Sequence, residues 1–292
     1  MRYRLVVNYP PGDVWSLTPF LRDFASQRPG DTLKVECPCP ELLAGAPWYH
    51  GRERGETFDR TLYFKFTPSD KTDGVTRYGM DGKSSMRLEW YTFWERETGI
   101  RVEPRATAPD FFPTDREKAY SLVPTGRPVC ILNAGWKADI PVKFWGSDRF
   151  SSVVEALKDR VLFVQVGASR RGMDHHDRIP GALDMVGRTT LRELACLVYH
   201  ADIVLTGISQ LHHAAGMPCY KPRTCITVAG AREPENWANC YKRRRVKWHW
   251  LSAPSCKGGE PGCWGSVCRP DCPAIRSIGP DRVIDIIKEI IQ

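Results

Sequence analysis

The stretch from Val186 to Pro218, VGRTTLRELACLVYHADIVLTGISQLHHAAGMP, restricts the fold of this chain more than any other. It reads as a short strand at Asp184 to Val186, an amphipathic helix over Thr189 to Tyr199, a strand over Ile203 to Thr206, and a loop opening directly into a helix from Leu211. Strands and helices alternating at this spacing call for a parallel sheet covered by helices. In such a sheet the strand-to-helix junction presents backbone N–H groups and the positive end of a helix dipole, which suits an anion. The loop Thr206-Gly207-Ile208-Ser209-Gln210 adds hydroxyls, a glycine and an amide, and His212 and His213 follow on the first helical turn. In outline this is a phosphate or nucleotide site.

The rest of the chain repeats the alternation. Arg4 to Asn8 reads as a buried strand, Pro10-Pro11-Gly12-Asp13 as a turn, and Val14 to Ser26 as a helix burying Trp15, Leu17, Leu21 and Phe24. Strands at Thr32 to Glu36 and Thr61 to Phe66 and an aromatic-rich helix at Met86 to Thr98 follow. The proline-rich segment ending at Pro128 marks a boundary. A second series then begins, with strands at Val129 to Asn133, Val161 to Val166 and Thr224 to Ala229 and a helix at Arg149 to Asp159. We expect an α/β chain of two Rossmann-like domains facing a cleft, over residues 1–125 and 126–278, closed by a helix over residues 279–292 that packs across them. Pro280 suits the first position of that helix, and Val283, Ile284, Ile286, Ile287, Ile290 and Ile291 form its apolar stripe. The absence of G-x-G-x-x-G argues against an NAD-binding protein.

No apolar run reaches the ~18–20 residues of a membrane span, and the N-terminus lacks the apolar core of a signal peptide, so a cytoplasmic protein is expected. The net charge of +8 suits phosphorylated ligands and does not by itself indicate nucleic acid. The charge peaks at Lys242-Arg243-Arg244-Arg245-Val246-Lys247, with Trp248 and Trp250 just after. That run is either an irregular basic loop or a surface that contacts phosphates and stacks on bases. Among 11 cysteines, Cys130, Cys196 and Cys225 fall in expected strands or helices and read as core. Cys240, Cys256, Cys263, Cys268 and Cys272 form a cluster rich in glycine over residues 240–272. Four thiolates drawn from these five suit structural Zn or Fe, against the alternative of reduced surface cysteines.

Four places together resemble the heptosyltransferase-like glycosyltransferases of glycosyltransferase family 9, which have the GT-B fold. They are Gly12-Asp13-Val14 with Thr18-Pro19 and Leu21-Arg22, Asn133-Ala134-Gly135 with Lys143-Phe144-Trp145, the 186–218 stretch, and the C-terminal helix. The cysteine-rich tail is similar, more loosely, to a subset related to the autotransporter heptosyltransferases, which carry an iron-binding cysteine motif. The resemblance implies transfer of a sugar from a nucleoside diphosphate donor to an acceptor hydroxyl, with inversion at the anomeric carbon and no metal in the chemistry.

The carboxylate of Asp13 follows a glycine at a strand-to-helix turn, where it either caps the helix or faces the cleft. The resemblance makes it the base that takes the acceptor's proton. Lys143 matches the family lysine that reaches the donor diphosphate, and His212 matches a family histidine after the donor loop. Gly207, Ile208, Ser209 and Gln210 offer N–H and hydroxyl donors, with Gly12, Gly135 and Lys137 as further candidates, although Lys137 also reads as a solvated loop residue. His213 turns to the other side of its helix and reads as structural. His175 and His176 sit in a glycine-containing loop read as exposed or nucleotide-adjacent rather than metal-binding. The family's acidic residue in the donor loop is missing here, so the sugar is not implied. An ADP-sugar is the expected donor, with GDP- and UDP-sugars as alternatives, and the acceptor is a glycan, a protein or modified DNA. Competing readings are an enzyme glycosylating hydroxymethylated DNA bases, a nucleotide-sugar epimerase, and a non-catalytic nucleic-acid-binding protein.

Overall fold

The computed structural model describes residues 1–49, 55–65, 70–72, 75–77, 85–124, 126–138, 143–169, 174–230, 235–238, 240–252 and 273–292. Strand β1 (Arg2–Val6) leads into helix α1 (Pro11–Gln27) and strand β2 (Thr32–Glu36), followed by a 3₁₀ turn at Pro40–Leu42 and β3 (Arg60–Tyr63). These three strands form a parallel sheet in the order β2-β1-β3. A small hairpin, β4 (Asp70–Thr72) and β5 (Val75–Arg77), precedes α2 (Met86–Thr98) and the short α3 (Asp115–Ala119).

The second half holds β6 (Val129–Asn133), β7 (Trp136–Lys137), α4 (Ser147–Leu157), β8 (Leu162–Gln165), β9 (Asp174–His175), β10 (Leu183–Asp184), α5 (Leu191–His200), β11 (Ile203–Thr206), α6 (Gln210–Ala215) and β12 (Arg223–Ala229). After α7 (Glu235–Ala238) come β13 (Val246–Ser252), α8 (Pro273–Arg276) and α9 (Pro280–Ile290). Six strands form one parallel sheet in the order β10-β8-β6-β11-β12-β13. In sequence ranks that is 3-2-1-4-5-6, the doubly wound order, and the winding reverses between β6 and β11. Among the described residues no helix is long and apolar enough to cross a membrane.

Helix α1 is buried along almost its whole length, from Gly12 to Phe24, because it is packed on both sides. It contains Pro19, which has no N–H to offer the Trp15 carbonyl one turn back. The Thr18 hydroxyl donates to that carbonyl instead, at 2.8 Å, and accepts from the Asp110 backbone N–H at 2.8 Å. The buried Asp23 carboxylate accepts from the Tyr91 hydroxyl and from the N–H groups of Arg105 and Ala106 at 2.7–2.8 Å, tying α2 and the following segment to α1.

One apolar cluster runs from β1, α1 and α2 into the inner face of the six-stranded sheet, taking in Ile131, Val164, Val198 and Val204. A second lies on the sheet's outer face, between Cys130, Leu132, Phe163 and α4. Helix α9 buries Val283, Ile284, Ile286 and Ile287 in this second cluster. Its apolar stripe is therefore used against α4 and the second sheet, in place of the expected packing across both halves.

Two sequence expectations shift and a third holds. Helix α1 starts at Pro11, because proline at a first-turn position lacks only an N–H that would be unbonded anyway, so Pro10 takes the N-cap position and Asp13 lies inside the first turn. The basic run read as a loop is half strand, since β13 pairs with β12 from Val246 onward. Cys130, Cys196 and Cys225 are buried as expected, and burial pushes the thiols of Cys196 and Cys225 up to about 12.

Candidate functional site

The reversal between β6 and β11 fixes where a ligand can sit. Register pairs Asn133, the last residue of β6, with Thr206, the last of β11. The chain leaves the two strands in opposite directions there, opening a crevice at their carboxyl ends. Gly207 follows directly, and a β-carbon on it would come within 3.1 Å of the Lys143 backbone oxygen. The segment carrying Lys143 therefore lies on the loop after β11, in keeping with what the family resemblance implies. Trp145 holds that segment from below, buried, with its indole N–H donating to the Ile278 carbonyl at 2.8 Å.

Ser209 caps α6, accepting from the Leu211 N–H at 3.2 Å while its hydroxyl meets that of Thr206 at 2.9 Å. Ile208 is buried against Ala229 and Ala238, so it can serve a ligand only through its backbone. Helix α6 spans six residues, too few to build a full dipole, so any anion here depends on Lys143 and the loop's own donors.

His212 is fully buried, with Nδ1 2.9 Å from the Thr227 hydroxyl and Nε2 2.9 Å from the Ala238 carbonyl. A ring with no accessible surface cannot touch a ligand in this conformation, so the expected donor contact of His212 is replaced by a brace between α6, β12 and α7. His213 is buried as expected, but it is also the centre of a contact that sequence reasoning missed. Its Nδ1 lies 2.8 Å from the Tyr241 hydroxyl, and its ring faces Gly12 so closely that a β-carbon there would sit 2.9 Å from Cδ2. The same β-carbon would be 3.2 Å from the Gln210 Cα. Burial, then the charges of His212 and Lys143, hold the His213 imidazolium pKa well below the ordinary value, so this ring is neutral at pH 7. Burial, with Cys240 and Asp13 nearby, keeps Tyr241 a neutral phenol.

The first turn of α1 is thus pressed onto the first turn of α6, bringing Gly12 and Asp13 to Gln210, His213 and Tyr241. Replacing Gly12 with alanine is expected to force the helices apart and lower stability by about 1–3 kcal/mol, read as a shifted denaturation midpoint at constant slope. A parent-like midpoint would show that the contact gives way freely.

Gly135 lies on the other rim. Its N–H donates to the Asn133 side chain at 2.8 Å, and the His176 ring occupies the space where a β-carbon of Gly135 or Gly167 would be, at 2.0 and 2.1 Å. His175 stacks on Trp136 at 4.2 Å, while Lys137 is exposed on the paired strand β7. The loop of the two histidines is thereby joined to the Gly135–Lys137 rim. Among the described residues no group of three His, Cys, Asp or Glu could hold a metal. Cys256, Cys263, Cys268 and Cys272 lie outside the described residues, and Cys240 is half-buried near Ser85 and Arg87. Trp248 and Trp250, expected as base-stacking residues in one reading, pack 5.1 and 5.9 Å from the His212 ring.

Two parallel sheets, the second doubly wound with its crevice facing α1, define the GT-B fold of the family 9 heptosyltransferases. ADP-heptose LPS heptosyltransferase II of E. coli superposes with a TM-score of 0.66 at 14% identity, covering 100% of this chain and 98% of that one. The dodecameric iron-containing heptosyltransferase TibC of E. coli, in complex with ADP-D-β-D-heptose, gives 0.68 at 19% identity over 99% and 76%. A family 9 glycosyl transferase of Veillonella parvula gives 0.61 at 12% identity over 99% and 97%. At these identities the likeness is one of fold. No protein-family model and no curated protein sequence matches the chain.

Proposed function

We propose that this chain transfers a sugar from a nucleoside diphosphate donor to an acceptor hydroxyl, with inversion and without a metal in the chemistry. The observation that carries this reading is the convergence of Lys143, the 207–210 loop and the Asp13 turn at the crevice where the second sheet reverses its winding. Residues 126–278 would hold the donor and residues 1–125 the acceptor, with residues 279–292 as the closing helix. In this arrangement Asp13 removes the proton from the acceptor hydroxyl as its oxygen attacks the anomeric carbon. The bond from that carbon to the diphosphate oxygen breaks with its electron pair going to the diphosphate. Lys143 and the polar groups of Ser209 and Gln210 stabilise the charge that grows there. Gly207 keeps the loop bare enough for the lysine segment to lie on it. His212 acts from beneath, fixing α6.

An ADP-sugar is the first donor to test, since one structure of the same fold is a complex with ADP-D-β-D-heptose. Calorimetry with ADP-, GDP- and UDP-sugars is expected to give one clear binder. Lys143→Ala should weaken it by about 10- to 100-fold, the worth of a charge-assisted hydrogen bond, without changing the melting temperature. Equal affinity in the variant would remove Lys143 from the donor site.

A further inference from the structure

The densest basic run of the sequence lies outside the proposed donor site. Arg245 immediately precedes β13 and Arg223 opens β12, whereas the 207–210 loop leaves the opposite end of the same parallel sheet. The seven residues of β12 separate those ends by about 23 Å at ~3.3 Å per residue. At the amino-terminal end Arg22, Arg105, Lys242, Arg243, Arg244 and Arg245 line a single cavity of about 1070 Å³.

These charges are poorly compensated. Asp23, in the same wall, is occupied by Tyr91 and two backbone N–H groups. Asp110 pairs with Arg22 at 2.8 Å and lies 3.7 Å from Arg243, which is also held by the Gly216 and Pro109 carbonyls. Arg245 donates to the Tyr220 carbonyl at 3.1 Å. Among the described residues the side chains of Arg105, Lys242 and Arg244 have no hydrogen bond or ion pair. Cations gathered around a concavity repel one another and focus a positive potential into it, and an anion relieves both. Guanidinium forks match phosphate or sulfate oxygens in pairs.

Shape and surroundings select among anions. The cavity is of small-molecule size, near the upper end of ~300–1,000 Å³. A single-stranded nucleic acid needs an extended track with open aromatic faces, and the aromatic residues after this run pack beside His212 instead. We propose that the cavity is a second anion site, taking a compact ligand that carries two or more phosphate or sulfate groups.

The test uses inorganic tripolyphosphate as the probe, titrated calorimetrically into the Lys143→Ala protein. That background removes the proposed donor-site lysine, so the result stands apart from the glycosyltransferase reading. Binding is expected, and adding Arg105→Ser, Lys242→Ser and Arg244→Ser should weaken it at least about tenfold, as should raising salt to about 0.5 M. Among the described residues these side chains hold nothing else in place, so the melting temperature should not change. Arg244→Glu alone, at an exposed position, should weaken binding in the same direction and covers the case of a poorly folded triple variant. No binding, or equal affinity with the cations removed, would overturn the proposal. A single-stranded oligonucleotide binding more tightly than tripolyphosphate, and lost in the same variants, would overturn it in favour of a nucleic-acid surface.

Discussion

Asp13→Asn is expected to lower turnover by about 10²- to 10⁴-fold, the range lost with a general base, while nucleotide-sugar affinity stays within about twofold. The substitution keeps the shape of the side chain and removes its basicity. Asp13 sits in the first turn of α1, past the N-cap position at Pro10, so the loss of favourable charge at a helix start should cost only about 0.3–1 kcal/mol. Turnover and stability are therefore separable at this position. The Ser16 hydroxyl donates to the Asp13 carbonyl at 2.7 Å and accepts from the Trp90 indole at 2.8 Å, which fixes the backbone of the turn whatever the side chain. Parent-like turnover, measured with a saturating donor, would sink the assignment of Asp13 as the base and leave the donor-site reading standing.

The largest effect on stability is expected at Arg192, on α5. Its guanidinium makes two bonds to Glu117 of α3, at 2.6 and 2.7 Å, and reaches the carbonyls of Glu41, Ala44 and Phe112 at 3.1–3.3 Å. It also lies 5.2 Å from the centre of the Phe111 ring. One side chain thus joins three segments of the first half to a helix of the second. Arg192→Ala should lower unfolding free energy by about 3 kcal/mol, because it strands a partly buried carboxylate and three carbonyls at once. Lysine should recover little, having no fork to span Glu117. Burial pushes the Glu117 carboxyl up, but Arg192 and the Thr114 groups outweigh it and bring it down to about 2. A folded value below the unfolded one contributes stability that is full above about pH 4.5 and lost as pH falls towards 2. Denaturant titrations across that window should show this acid limb in the parent and a flatter one in Arg192→Ala. Identical limbs would show that Arg192 is not what holds the Glu117 charge.

Much of the frame is local enough to be read from the chain. The strands at Thr32–Glu36, Val129–Asn133 and Ile203–Thr206 and the helix at Met86–Thr98 have the expected bounds, because short apolar runs and clear caps mark them. The start of the last helix at Pro280 follows from the same kind of signal. Strand β13 was hidden by the charge of its approach, although Val246, Trp248 and Trp250 alternate with Lys247 and His249 in the period of a strand. The closeness of Lys143 to Gly207 was legible through motif order. The meeting of Gly12, His213 and Tyr241 was not, since it depends on how two helices some 200 residues apart in sequence pack, and no local pattern encodes that. The burial of His212 was missed for a similar reason: its partners, Thr227 and Ala238, lie on elements that fold over it later in the chain.

The apolar cluster shared by α1, α2 and the inner face of the second sheet sets the mechanics of the crevice. Because its side chains come from both halves, swinging the halves apart would wet a core rather than open a polar seam. A wide hinge would therefore be costly, whereas a short slide of one packed helix along another would leave the core dry. The glycine-to-imidazole contact between α1 and α6 is the smooth bearing on which such a slide would run.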